Sequence, residues 1–74
     1  KIIVTLGRIA TQTVLETDGR ISRMRGRWQP HPHHEARVMP TYHPAAVLRN
    51  PQLRRPVWED LKLVMDALGL QTTR

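Results

Sequence analysis

The first strand-like run limits the architecture of this chain more than any other feature. Ile2-Ile3-Val4-Thr5-Leu6 is unbroken in apolar and β-branched character and is closed by Gly7. A strand with one face in water alternates polar and apolar residues, whereas a continuous run of this kind suits a strand buried on both faces of a parallel sheet. Parallel strands need a crossover, so a helix should follow at once. Arg8 to Glu16 supplies it, with Ala10 and Val14, flanked by Ile9 and Thr13, at helical spacing and Asp18-Gly19 as turn chemistry beyond.

The rest of the chain continues the alternation. Arg20 to Trp28 mixes Arg with Ile21, Met24 and Trp28 around Gly26 and reads as an exposed ribbon or loop. His31 to Glu35 is a turn rich in His and Pro, and Ala36 to Tyr42 reads as a second strand. Val38 and Met39 should be buried there, with Pro40 near the strand end because Pro cannot donate to a central ladder. His43 to Pro51 reads as a loop. Val57, Leu61, Val64, Met65 and Leu68 then mark a helix from about Pro56 to Leu68, with Pro56 in its first turn and Gly69 as its stop. Residues 71–74 should fray. The predicted class is therefore α/β, in the layered arrangement of helices packed on a sheet.

Length bears on what this arrangement can be. A chain of 74 residues buries only about 60% of the surface it exposes when unfolded, and without Cys it has no disulfide to compensate. The sequence opens directly on a strand, with no initiator Met, so it is expected to be part of a larger domain and to fold poorly alone. No apolar run approaches the roughly 20 residues of a membrane span. A soluble, cytoplasmic protein is expected.

Charge points to the class of partner. Twelve basic residues stand against six acidic ones, a formal net charge of +6, and ten of the twelve are Arg, whose planar fork suits phosphate. Composition alone leaves a generic basic surface equally open.

Two strand ends carry the candidate chemistry. In open α/β sheets ligands bind beyond the C-terminal ends of the strands, where a helix N-terminus offers free N–H groups to an anion. Leu6-Gly7-Arg8 lies at one such point: Gly7 would let the backbone approach a phosphate, and Arg8 would add charge. Thr41-Tyr42-His43-Pro44-Ala45-Ala46 lies at the other, followed by Val47-Leu48-Arg49-Asn50-Pro51. These two points are expected to converge on one sheet edge: His43 would project where the Gly7 turn also lies, Pro44 stiffens the exit, the small Ala45 and Ala46 leave room for a second molecule, and Val47, Leu48 and Arg49 are expected to be exposed. His31, His33 and His34 are read as a surface loop without a metal, since neither Cys nor regular ligand spacing accompanies them. Trp58 is read as packing, and Glu59 and Asp60 as first-turn acids favoured by the helix dipole.

Taken in order, Leu-Gly-Arg-x-Ala, Arg-Gly-Arg-Trp, Thr-Tyr-His-Pro-Ala-Ala-Val-Leu-Arg-Asn-Pro and Val-Trp-Glu-Asp-Leu-Lys resemble the C-terminal segment of the family-four, iron-sulfur uracil-DNA glycosylases of bacteria and archaea. The likeness runs from about Ile2 to Leu68. It implies the C-terminal half of a three-layer α/β/α fold with a mainly parallel sheet, residues 1–74 forming part of a single glycosylase domain. It also implies a monomeric, nucleoid-associated protein that acts on uracil-containing DNA and holds a 4Fe-4S cluster. By the same resemblance His43 is the catalytic group that donates toward uracil O2, and Pro44 and Ala45 belong to the base pocket. Val47, Leu48 and Arg49 form the loop that enters the duplex, Leu48 as wedge and Arg49 on phosphate, while Gly7 and Arg8 hold a phosphate near the flipped nucleotide. Arg23, Arg25 and Arg27 would extend the basic track.

The family's water-positioning Gly-Glu-Ala-Pro-Gly-like motif, its uracil-reading Asn and its four cluster Cys do not occur in this sequence. The segment alone is expected to be inactive. Two other readings stay open: a basic DNA-binding module without catalysis, and a related glycosylase for other deaminated or mismatched bases.

Overall fold

A computed structural model describes residues 1–70; the tail expected to fray, 71–74, lies outside the described residues. Strand β1 (Ile2–Leu6) leads directly into helix α1 (Gly7–Leu15), followed by the single turn α2 (Ile21–Met24) and the two-residue strand β2 (Gln29–Pro30). Strand β3 (Arg37–Thr41), helix α3 (Pro44–Arg49), one 3-10 turn (Pro51–Leu53) and helix α4 (Arg54–Ala67) complete the order. The three strands form one sheet in the order β1-β3-β2.

β1 and β3 run parallel, from Ile2 opposite Arg37 to Leu6 opposite Thr41, as the apolar run predicts. β2 pairs antiparallel with Arg37 and Val38 only, so the sheet among the described residues is small and mixed. Burial on both faces belongs to β3, where Val38 and Met39 are both 0% exposed although successive side chains point to opposite faces. In β1 only Thr5 is fully buried; Val4 and Leu6 are 38% and 44% exposed. Thr5 shares its hydroxyl hydrogen with Thr11 of α1 over 2.8 Å. Thr41, on the opposite face by the register, meets α4 instead. Helices thus cover both faces of β3 and one face of β1.

Pro40 sits within the central strand without breaking it. Its carbonyl accepts from Gly26 N–H at 3.2 Å, and the N and C=O of one strand residue point to the same side. That side lies past the end of β2, where no ladder donor is required.

Three segments differ from expectation. Arg20 to Trp28 is no ribbon at its start: Ile21 and Met24 stand three residues apart on the turn of α2, and the apparent irregularity was helical spacing over too short a stretch to read. His43 to Pro51 is no loop but a short helix and a 3-10 turn. Pro44 suits the first helical position, the two Ala residues favour the helix, and Asn50-Pro51 ends it. α4 starts at Arg54 rather than Pro56 because the 3-10 turn feeds straight into it, which leaves Pro56 still within the first turn, where its missing N–H has no partner to lose. Gly69, at φ +77°, follows α4 as expected.

α4 buries Val64 and half-buries Val57, Leu61 and Met65, whereas Leu68 is exposed. Trp58 is 41% exposed, so the packing expected of it is at most partial. Trp28 lies under the Arg37 guanidinium, 4.5 Å from its ring centroid. In the His-rich turn, His31 Nδ1 accepts from the N–H groups of His33 and His34, and the His33 ring contacts Glu16. Among the described residues no helix is long and apolar enough to cross a membrane.

Candidate active site

Because β1 and β3 are parallel and Leu6 is opposite Thr41, both chains leave the same edge of the sheet side by side. Gly7 and His43 meet there. A Cβ on Gly7 would stand 2.9 Å from the Cβ of His43, and the Gly7 backbone has φ +89°. Glycine is therefore required at this position by its neighbour and by its conformation, a reason different from the phosphate approach read from the sequence.

A cavity of about 360 Å³ opens between the two strand exits. His43 lines it together with Gly7 and Arg8 from α1 and Arg49 from α3; Ile9, Ile21 and Tyr42 supply apolar and aromatic wall. Arg8 and Arg49 are exposed, and the ion pairs among the described residues involve neither of them. Two guanidinium groups therefore give the mouth of the cavity a positive potential.

His43 is also the N-cap of α3, and its Nδ1 accepts from Ala45 N–H at 3.0 Å. With Nδ1 committed as acceptor, the neutral ring carries its proton on Nε2. The cap thus turns a residue at a helix start into a hydrogen-bond donor of defined direction. Ala45 is the source of that restraint.

Most of the remaining expected site residues lie on the other side of α3. Pro44, Val47 and Leu48 line an apolar groove of about 680 Å³ with Val4 and Leu6 of β1 and Leu61 of α4. Leu48 is 82% exposed. Ala45 lines neither the cavity nor the groove, and the small residue on the cavity wall is Ala46. α3 accordingly separates a largely apolar cavity that carries His43 and two arginines from a groove that is apolar throughout, with Arg49 turned to the first and Leu48 to the second.

Of the ribbon arginines, Arg23 and Arg27 are exposed, but Arg25 is half-buried and paired with a buried acid. Its Nε donates to Asp60 Oδ2 at 3.0 Å and its Nη2 to Asp60 Oδ1 at 2.5 Å. Because α4 starts at Arg54, neither Glu59 nor Asp60 lies in its first turn, and Asp60, 0% exposed, is the buried partner of an ion pair and not the dipole-favoured first-turn acid expected. Hydrogen bonding to Asp60 raises the Arg25 guanidinium above its usual pKa. Its cation is then fully held at neutral pH, and the contribution to stability is lost only as pH climbs past the ordinary guanidinium range.

The sequence reading did not assign Tyr42, Ile9 or Ile21 to the site, and gave Ala46 only as a small residue that leaves room for a second molecule. Tyr42 was signalled by its place beside His43 and Ile9 by its place two residues after Gly7. Ile21 arrives from a distant segment and has no local signal.

A family model for the uracil DNA glycosylase superfamily matches residues 1–62. The chain belongs to that superfamily. It is similar to a type-4 uracil-DNA glycosylase of Sulfurisphaera tokodaii, with 42% identity over 73 residues, 89% of this chain and 33% of the relative. A type-4 uracil-DNA glycosylase of Saccharolobus solfataricus is 38% identical over 75 residues, covering 92% of this chain and 34% of the relative. The chain spans about a third of the length of these relatives. The superfamily match contains every residue that lines the cavity and the groove, and Asp60 as well.

Proposed function

We propose that this chain is the C-terminal portion of a single type-4 uracil-DNA glycosylase domain, and that the complete protein hydrolyses the N-glycosidic bond of uracil in DNA. The observation that carries the reading is His43, with its Nδ1 bound to Ala45 N–H, in a cavity flanked by Arg8 and Arg49. As the bond between uracil N1 and deoxyribose C1′ breaks, its electron pair passes into the uracil ring and negative charge gathers on O2. The Nε2–H of His43 donates to that oxygen. Once bound DNA has excluded water from the exposed ring, a donor aimed in advance at developing charge lowers the barrier by on the order of 3–4 kcal/mol. Water adds its oxygen to C1′ as a hydroxyl, and the proton it gives up balances the one the departing uracil anion takes on, leaving an abasic site and free uracil.

To reach the cavity the nucleotide must leave the duplex. Leu48, exposed on α3, fills the space it vacates with Val47 beside it, because an apolar wedge can replace lost stacking. Arg49 and Arg8 bind backbone phosphates, with Gly7 and the start of α1 near the phosphate of the flipped nucleotide. Pro44 and Ala45 shape the rim of the base pocket by fixing the entry to α3. Uracil-containing DNA is thus the partner, and the protein acts as a monomer on the nucleoid in the cytoplasm.

The complete domain is proposed to be a three-layer α/β/α fold with a mainly parallel sheet. A 4Fe-4S cluster is implied by the likeness to type-4 enzymes, but the residues of this chain do not fit one. It has no Cys, and the described residues include no group of three or more His, Cys, Asp or Glu able to hold a metal. Cluster ligands, the water-positioning group and the uracil-reading amide would all belong to the remainder of the protein.

The test is His43→Ala in the full-length protein, followed by single-turnover excision from a uracil-containing duplex. Excision should slow by about 10²–10³-fold while affinity for abasic-site DNA stays nearly unchanged. An unimpaired His43→Ala would end the assignment. DNA binding without excision by the full-length wild type would favour the non-catalytic binding module, and excision of hypoxanthine or of T from a G·T mismatch in place of uracil would favour a related glycosylase.

A further inference from the structure

Helix α3 carries the proposed DNA-facing residues, yet none of its own six residues is fully buried. Its position therefore depends strongly on the segments that flank it. Both flanking segments lead to one carboxylate. On the His43 side, Thr41 Oγ1 donates to Asp60 Oδ2 at 2.6 Å, two residues before the ring. On the α4 side, Arg25 Nη2 donates to the Pro56 carbonyl at 3.3 Å as well as to Asp60.

The same cluster reaches the opposite wall of the cavity. Arg25 ends α2, whose Ile21 lines the cavity. The adjacent Gly26 donates to the Pro40 carbonyl, and a Cβ on Gly26 would stand 2.8 Å from Asp60 Oδ1. Asp60 and Thr41 are both 0% exposed, so this geometry is shielded from water.

Resting on the glycosylase reading above, we propose that Asp60 is a positioning residue for excision: through Thr41 and Arg25 it holds His43 and both ends of α3 in register with Ile21 across the cavity. Thr41 is the link that can be cut most cleanly. Thr41→Val keeps the shape of the side chain and leaves the Arg25–Asp60 pair intact, whereas Thr41→Ser keeps the hydroxyl.

The test uses the full-length protein, with wild type, His43→Ala, Thr41→Val and Thr41→Ser compared at a temperature well below every melting point. Single-turnover excision at saturating enzyme should fall on the order of tenfold to a hundredfold in Thr41→Val, because a small misplacement of a reacting group is enough to cause that loss. Affinity for abasic-site DNA should stay within about twofold, and Thr41→Ser should recover most of the rate. Independently of activity, hydrogen exchange at the Ala45 amide, which caps against His43, should accelerate in Thr41→Val and return toward wild type in Thr41→Ser. A Thr41→Val protein that excises at the wild-type rate, or a Thr41→Ser protein as impaired as Thr41→Val, overturns the inference. If wild type excises uracil and His43→Ala does not, either result removes only the role of Asp60; if wild type fails to excise, the underlying reading fails and this one with it.

Discussion

At the scale of single residues, the pairing of Gly7 with His43 is the tightest restraint on the site. An alanine at position 7 would have to tolerate φ +89° and a Cβ 2.9 Å from the His43 Cβ. Left-handed backbone costs a non-glycine residue about 1–2 kcal/mol, and the contact can be relieved only by moving His43. Gly7→Ala in the full-length protein should therefore lower unfolding free energy by about 1–3 kcal/mol. Denaturant melts would check this, and excision should fall more steeply than the loss of folded protein explains. The sequence placed the Gly7 turn and His43 together on one sheet edge, as the structure has them. What it did not carry was how closely they meet, because that contact depends on the parallel register of two strands more than thirty residues apart.

Among the elements, α3 shows most clearly what local reading loses. Its pattern, His before Pro, then two Ala, then Asn-Pro, holds a start and a stop for a helix of six residues. That is too short for hydrophobic periodicity to appear, so the loop expected there was the wrong element in the right place. The helix gives Leu48 and Arg49 different surroundings, groove and cavity. Leu48→Ala, which keeps helix propensity, should slow excision from duplex DNA by about tenfold, the loss of a few stacking contacts, with little change on single-stranded DNA. Equal losses on the two substrates would show that Leu48 supports the fold of α3 and does not replace a base. Asp60 and Arg25 were likewise read from local cues, a first-turn acid and a ribbon cation, and both cues pointed outward to solvent or phosphate. Their pairing spans 35 residues and became visible only with both segments in place.

For the molecule as a whole, the basic excess survives the pairing of Arg25 with a buried acid, since Arg8, Arg49, Arg23 and Arg27 remain exposed. If Arg8 and Arg49 each neutralise one phosphate, removing both should reduce the slope of log affinity against log salt by about 2, measured on full-length protein with duplex DNA. Unchanged salt dependence would place the backbone contacts elsewhere. What the sequence by itself determined were the features written in neighbouring residues: the two parallel strands, the burial of Val38 and Met39, the helix stops at Gly69 and near Asp18, the charge, and a specific ordered set of motifs that placed the chain among uracil-DNA glycosylases. Only the tertiary structure decided which strand is central, why Gly7 bears no side chain, and which arginine is committed to a buried acid. Periodicity and capping act over a few bonds and leave a local trace, whereas burial and ion pairing are settled by segments that meet only when the chain has folded.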